Sequence, residues 1–190
     1  LPDAERDEKI AAGGFGKYYT DNMVTIDWSE AEGWSEAQLN AYGPITLDPA
    51  TAVFHYGQEI FEGMKAYSQP DGSISLFRPD ANAIRFARSA ARLALPELSV
   101  EEFIETITTL VKQDRKWVPK KVGESLYIRP FMFATEVGLG VRPSNRAKYV
   151  LIATPAGAYF NAANAVTVWI STEYVRAAIG GTGEAKCGGN

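Results

Sequence analysis

Between Pro79 and Pro119 the chain carries two stretches whose apolar residues recur at helical spacing, and on either side of them apolar and polar residues alternate. That change of period, from 2 to about 3.6 and back, dictates helices laid against strands. The second helix is the more sharply marked. Ser99-Val-Glu-Glu102 is a capping box, in which the ends of the Ser99 and Glu102 side chains satisfy each other's backbone amides. Phe103, Ile107, Leu110 and Val111 then line one face, and Pro119 ends the run. The first helix is expected from about Pro79 to Leu95, with Asp80 as N-cap, Pro96 as stop, and Ile84, Ala87, Ala91 and Leu95 as its apolar stripe. Arg85, Arg88 and Arg92 form a second line along it.

The alternating segments read as strands: Met23–Trp28, a piece within Phe61–Tyr67, Ser73–Arg78, Ser125–Phe133, Tyr149–Thr154 and Ala165–Ser171. Pro70-Asp-Gly72 is a turn that makes Phe61–Arg78 a hairpin. The first dozen residues read as a mobile lead-in, and residues 29–50 as loops around short extended pieces. The fold class is therefore α/β. Residues 1–155 are expected to form a small domain of mostly antiparallel sheet and two main helices. Residues 156–164 read as a linker, and 165–190 as the opening of a second domain. One strand and a glycine-rich tail cannot make a core, so the chain is read as incomplete.

Composition narrows the chemistry. With 190 residues, 46% of them hydrophobic, the chain can bury roughly 70% of its unfolded surface without disulfides or metals. The net charge of −4 argues against a general nucleic-acid binder, which needs a basic face. A single histidine, His55, and a single cysteine, Cys187, argue against a His/Cys metal site and against an internal disulfide. A reducing cytoplasm is the simpler location. The first residues lack a signal-peptide core, and no run approaches the ~18 apolar residues of a membrane span.

The densest glycine cluster is Gly180-Gly-Thr-Gly-Glu-Ala-Lys-Cys-Gly-Gly-Asn190, with Lys186 at its centre. It is not a phosphate loop, because Ala185 and Cys187 flank the lysine, nor a dinucleotide fingerprint, because no glycine stands three residues after Gly183. Glycines let a backbone approach a bulky group closely, and desolvation keeps more of an amine neutral and able to condense with a carbonyl. On composition alone, a solvated lysine on a flexible tail is the simpler reading. His55 reads as a structural histidine and Cys187 as a small buried filler.

That segment resembles the surroundings of the cofactor lysine in the branched-chain aminotransferases, fold-type IV pyridoxal-phosphate enzymes. The similarity continues in order through Phe15-Gly, His55-Tyr56, Phe61-Glu-Gly-Met-Lys-Ala66, Leu76-Phe-Arg-Pro79, Ser125-Leu-Tyr-Ile-Arg-Pro130, Gly138-Leu-Gly140 and Gly157-Ala-Tyr-Phe160, covering about residues 15 to 190. It implies a barrel-like second domain and pyridoxal 5'-phosphate as cofactor. The implied reaction moves the amino group of leucine, isoleucine or valine to 2-oxoglutarate, in a homodimer whose partners are amino acids and 2-oxo acids.

By the same resemblance, Lys186 is the lysine that holds the cofactor and shuttles a proton, and Arg85 grips the cofactor phosphate. Phe15, Phe61 and Tyr127 line the aliphatic pocket, and Arg129 lies near the acidic side chain of the second substrate. Tyr56, Leu139 and Val141 reach the neighbouring subunit's site. Without the family, Arg85 reads as a solvated helix arginine and the three aromatics as core. The family's other cofactor contacts, including the acid that pairs with the pyridine nitrogen, fall beyond Asn190. Two other functions compete with this one: a sister fold-type IV enzyme (a D-amino acid aminotransferase or aminodeoxychorismate lyase), and a non-catalytic fragment acting as a binding module.

Overall fold

The computed structural model describes residues 1–157 and 165–189. Its centre is an eight-stranded antiparallel sheet built from β1 (Asn22–Ser29), β2 (Gly33–Trp34), β3 (Gln38–Ala41), β4 (Glu59–Phe61), β5 (Met64–Ser68), β6 (Ile74–Leu76), β7 (Ser125–Ala134) and β8 (Arg146–Ala156). The order is β2-β1-β8-β7-β5-β6, with β3 on β1 and β4 on β7. The helices are α1 (Asp3–Ala12), the short α2 (Ala52–Tyr56), α3 (Pro79–Arg92) and α4 (Val100–Gln113), followed by a 3₁₀ turn at Arg115–Trp117. The α/β class, the antiparallel sheet, the hairpin and the strands up to residue 156 agree with the sequence pattern.

Successive side chains on a strand point to opposite faces. Ile60, Met64 and Ala66, with Leu126, Ile128 and Met132 opposite them, all face the core. Across this face lie α3 and α4. Phe86, Phe103 and Tyr149 meet there with ring centroids 5.3 to 6.3 Å apart, all three essentially without exposure. The buried Tyr149 hydroxyl shares a 3.0 Å hydrogen bond with Thr106 Oγ1, and burial pushes its phenol well above the ordinary tyrosine value. The Ser99–Glu102 capping box forms as expected. At the other end of α4, the buried Asp114 carboxylate accepts from Asn22 at the start of β1.

Three expectations are corrected. The first dozen residues contain α1, which buries Arg6 and joins Lys116 through Asp3 at 3.1 Å. Helix α3 is capped by Arg78 in the left-handed region, with Pro79 as its first residue, so Asp80 lies in the first turn instead of at the N-cap. Its core face is Ala83, Phe86 and Ala90, while Ile84 and Ala91 are exposed. The bulk of Phe86 sets the face, because small alanines on several sides of a helix leave its stripe ambiguous. Lastly, residues 165–171 form no strand, and Val166, Val168, Trp169 and Ile170 are exposed. Alternation makes a strand only where a neighbour completes the ladder, and none does among the described residues. Of the expected linker, residues 158–164 lie outside the described residues.

Replacing Phe103 by alanine removes the ring that touches both Phe86 and Tyr149, and should lower the unfolding free energy by about 3–5 kcal/mol. Ser99→Ala loses only the cap and should cost about 1 kcal/mol. Urea unfolding of the two variants reads the difference, and equal shifts would show that the aromatic cluster does not anchor the core.

Candidate active site

The site begins at a gap in a β-ladder. Strands β4 and β5 pair with β7 in one continuous register, from Glu59↔Phe133 to Ala66↔Leu126. Between them Glu62 donates its amide to the Pro130 carbonyl at 2.8 Å. The reciprocal bond cannot form, since proline has no amide hydrogen. Glu62 and Gly63 therefore belong to neither strand. Gly63 lies beside the Tyr127 hydroxyl, where a Cβ would come within 2.0 Å of the oxygen, so glycine is needed at this close approach.

On the sheet face away from the helices the expected site residues form a contiguous row. The rings of Phe15 and Tyr127 meet edge to face at 4.8 Å. Arg129 donates from Nη2 to Tyr127 Oη at 3.0 Å, and its guanidinium carbon lies 4.6 Å from the centre of the Phe61 ring. Lys186 Nζ lies 4.4 Å from the same ring centre. The spacing of two between Tyr127 and Arg129 puts them on one face, as their residue numbers suggest. Arg129 Nε is buried and without a hydrogen-bond partner among the described residues. Such an orphaned donor is costly unless something else receives it.

The glycine-rich segment is fastened to this platform by its backbone. Phe61 donates its amide to the Lys186 carbonyl at 2.9 Å, and the Lys186 amide donates to the buried Ser89 Oγ at 3.0 Å. Arg92 Nη2 donates to the Gly181 carbonyl at 3.0 Å. Ala185 and Cys187 on either side of the lysine are buried. The segment is thus held by β4 on one side and α3 on the other, which corrects the simpler reading of a flexible tail. Lys186 itself is half-buried, and among the described residues no carboxylate pairs with its ammonium.

Arg85 does not behave as a free helix arginine. It donates from Nε and Nη2 to the two oxygens of Glu62, at 2.5 and 2.8 Å. Hydrogen bonding to Glu62 raises the guanidinium pKa above its ordinary value, with burial opposing. The Glu62 side chain has no exposure, whereas that of Arg85 is 45% exposed. Asn82 Nδ2 and the Gly63 amide complete the carboxylate's set, at 2.8 and 3.1 Å. The sequence reading does not single out Glu62, Asn82 or Ser89. A signal for Glu62 exists: it occupies the core-facing parity of Ile60, Met64 and Ala66, where alternation calls for an apolar residue.

Tyr56, Leu139 and Val141 stand apart from this row. The Tyr56 hydroxyl donates to the Leu139 carbonyl, and all three side chains are exposed. His55 hydrogen-bonds the Pro49 carbonyl at 3.0 Å, in keeping with a structural role. Among the described residues there is no group of three or more acidic, histidine or cysteine side chains able to hold a metal, and no helix is long and apolar enough to cross a membrane.

The residues present fit a phosphorylated aldehyde cofactor. Lys186 offers an amine with no carboxylate partner among the described residues, and Arg85 keeps its outer edge, Nη1 and the second hydrogen of Nη2, free of Glu62. Such an edge suits a phosphate.

No family model matches the chain. The chain is 62% identical over 190 residues to the branched-chain-amino-acid aminotransferase of Mycolicibacterium smegmatis, an alignment covering 99% of this chain and 52% of that protein. The crystal structure of the Escherichia coli branched-chain amino acid aminotransferase superposes with a TM-score of 0.61 at 22% identity, over 90% of this chain and 52% of that one. The T.th. branched-chain amino acid aminotransferase with pyridoxamine 5'-phosphate gives a TM-score of 0.54 at 26% identity, over 72% and 41%. The chain spans about half the length of the curated relatives it matches. With nearly all of its residues aligned at such identity, and with the curled antiparallel sheet of the fold-type IV enzymes, the chain is similar along its whole length to about half of a branched-chain-amino-acid aminotransferase.

Proposed function

We propose that the protein to which this chain belongs transfers the amino group of leucine, isoleucine or valine to 2-oxoglutarate, using pyridoxal 5'-phosphate. The observation that carries the reading is the junction of Lys186, Phe61, Arg129 and Tyr127 in one row. The structure of the T.th. aminotransferase with pyridoxamine 5'-phosphate supports the cofactor. When bound, that cofactor supplies the electron sink for cleavage next to the amino group.

The chain's own residues do the rest. Lys186 Nζ would anchor the cofactor and then take and return the proton at the α-carbon of the bound substrate, for which an amine with no carboxylate partner among the described residues is suited. Arg85 would hold the phosphate. Phe15, Phe61 and Tyr127 would wall the pocket for a branched aliphatic side chain, since aromatic walls give apolar area with little rotamer entropy to lose. Arg129, whose guanidinium lies over the Phe61 ring, would stand near the acid group of 2-oxoglutarate or glutamate. In this reading residues 1–155 are the small domain and 165–190 open the larger cofactor-binding domain. The enzyme is a cytoplasmic homodimer of amino-acid biosynthesis, in which exposed Tyr56, Leu139 and Val141 reach the neighbouring site.

Lys186→Ala in the full-length protein should abolish the visible absorbance band that follows addition of pyridoxal 5'-phosphate. It should lower turnover by at least about 10²-fold, the low end of what a positioned proton carrier contributes. A wild-type rate in that variant would overturn the assignment. In a panel of amino donors against 2-oxoglutarate, L-leucine, L-isoleucine and L-valine should lead. Preference for D-alanine would move the protein to a sister enzyme of the same fold type.

A further inference from the structure

We infer that Glu62 is a positioning residue for phosphate recognition: its buried carboxylate clamps the Arg85 guanidinium by one edge and so presents the other edge, in a fixed plane, to the phosphate of the cofactor. The inference rests on the reading that Arg85 binds that phosphate.

Three features of the geometry carry it. Glu62 has no exposure and sits among core side chains, a placement that is unfavourable for a carboxylate unless its oxygens are fully engaged. They are engaged, by Arg85 Nε and Nη2, Asn82 Nδ2 and the Gly63 amide. The partner is asymmetric: Arg85 is 45% exposed, so its inner edge is clamped while its outer edge remains available. Finally, the clamp stands at a fixed point of the backbone. Glu62 is tied to Pro130 by its own amide, and Phe61 beside it is tied to the Lys186 carbonyl. Any shift of the clamp would therefore move Arg85 relative to the lysine.

An arginine on a helix surface has many rotamers, and selecting one before the ligand arrives removes an entropic cost from binding. The carboxylate also offsets most of the arginine's charge. Simple electrostatics and positioning therefore make opposite predictions for Glu62→Gln. If charge ruled, the variant would gain an uncompensated cation and bind phosphate more tightly. If orientation rules, the variant binds more weakly. Its amide NH₂ would face N–H donors from Arg85, Asn82 or Gly63, and the two-point clamp would be lost.

The experiment titrates the full-length protein, stripped of cofactor, with pyridoxal 5'-phosphate and separately with pyridoxal, which lacks the phosphate. Glu62→Gln is expected to weaken binding of the phosphorylated form by about tenfold or more while leaving pyridoxal binding unchanged. The double variant Glu62→Gln/Arg85→Ala is expected to bind no more weakly than Arg85→Ala alone. Unchanged or tighter binding of pyridoxal 5'-phosphate by Glu62→Gln, with Arg85→Ala still impaired, would overturn the positioning role and leave the Arg85 reading intact. Equal loss for both ligands would reduce Glu62 to a structural part and overturn the inference. No effect of Arg85→Ala would remove the phosphate reading and the inference with it. Should Glu62→Gln not fold, Arg85→Lys decides. It keeps the charge on a half-exposed helix position but lacks the fork, so it should lose phosphate discrimination as Arg85→Ala does, and wild-type discrimination in it would overturn the proposal.

Discussion

A strand that cannot donate at one residue leaves its neighbour's ladder open there, and in this chain that residue is Pro130. A gap in mid-sheet is a liability in most folds, because it strands a backbone carbonyl and weakens the register. Here the register is continuous on both sides, from Glu59↔Phe133 to Ala66↔Leu126, so the gap costs little order. What it gives is two adjacent residues, Glu62 and Gly63, released from strand geometry at the point where the two faces of the sheet can exchange influence. Gly63 lets the Tyr127 hydroxyl come close on one face, and Glu62 turns its carboxylate toward α3 on the other.

Helix α3 is the second half of that arrangement. Its core face, Ala83, Phe86 and Ala90, is pressed against the sheet by the aromatic cluster with Phe103 and Tyr149. Three residues on a neighbouring face then reach out at intervals of about one and two turns. Arg85 meets Glu62, Ser89 meets the Lys186 amide, and Arg92 meets the Gly181 carbonyl. One rigid rod thus sets the spacing between the arginine and the lysine segment. Core packing and site geometry are linked through it, since loosening Phe86 would move all three contacts together.

Much of this is legible in the residues, and the failures have physical causes. The capping box at Ser99–Glu102 and the hairpin around Pro70-Asp-Gly72 are local, so their chemistry is complete within a few residues. The pairing of Tyr127 with Arg129 follows from strand parity alone. The face of α3 is misleading in the sequence because alanine stripes are weak signals, and Phe86 outweighs them. Helix α1 escapes a hydrophobic pattern because its mean character is charged and its one buried side chain is Arg6. The strand expected over 165–171 fails for the opposite reason: alternation is present, but a ladder needs a partner. Glu62 is hidden in the sequence because a glutamate is ordinarily a solvated residue, whereas this one has no exposure. Parity alone marks it, since an acid among Ile60, Met64 and Ala66 must find a cation or a set of amides.

The glycine-rich segment shows how composition and placement can point in opposite directions. Glycines at this density favour disorder when nothing binds their backbone. Yet the Lys186 carbonyl and amide are both engaged, by the Phe61 amide and by the Ser89 hydroxyl, while the flanking Ala185 and Cys187 are buried. The glycines let the segment come close to β4 and α3, and the hydrogen bonds then fix what the glycines leave free. A long lysine side chain is flexible, so the precision of its amine depends on where its Cα is held. Fastening the backbone on both sides confines the search of Nζ to a small volume over the Phe61 ring. The same ring also packs against the Arg129 guanidinium, so one aromatic side chain sets the distance between the amine and the cation on the substrate face.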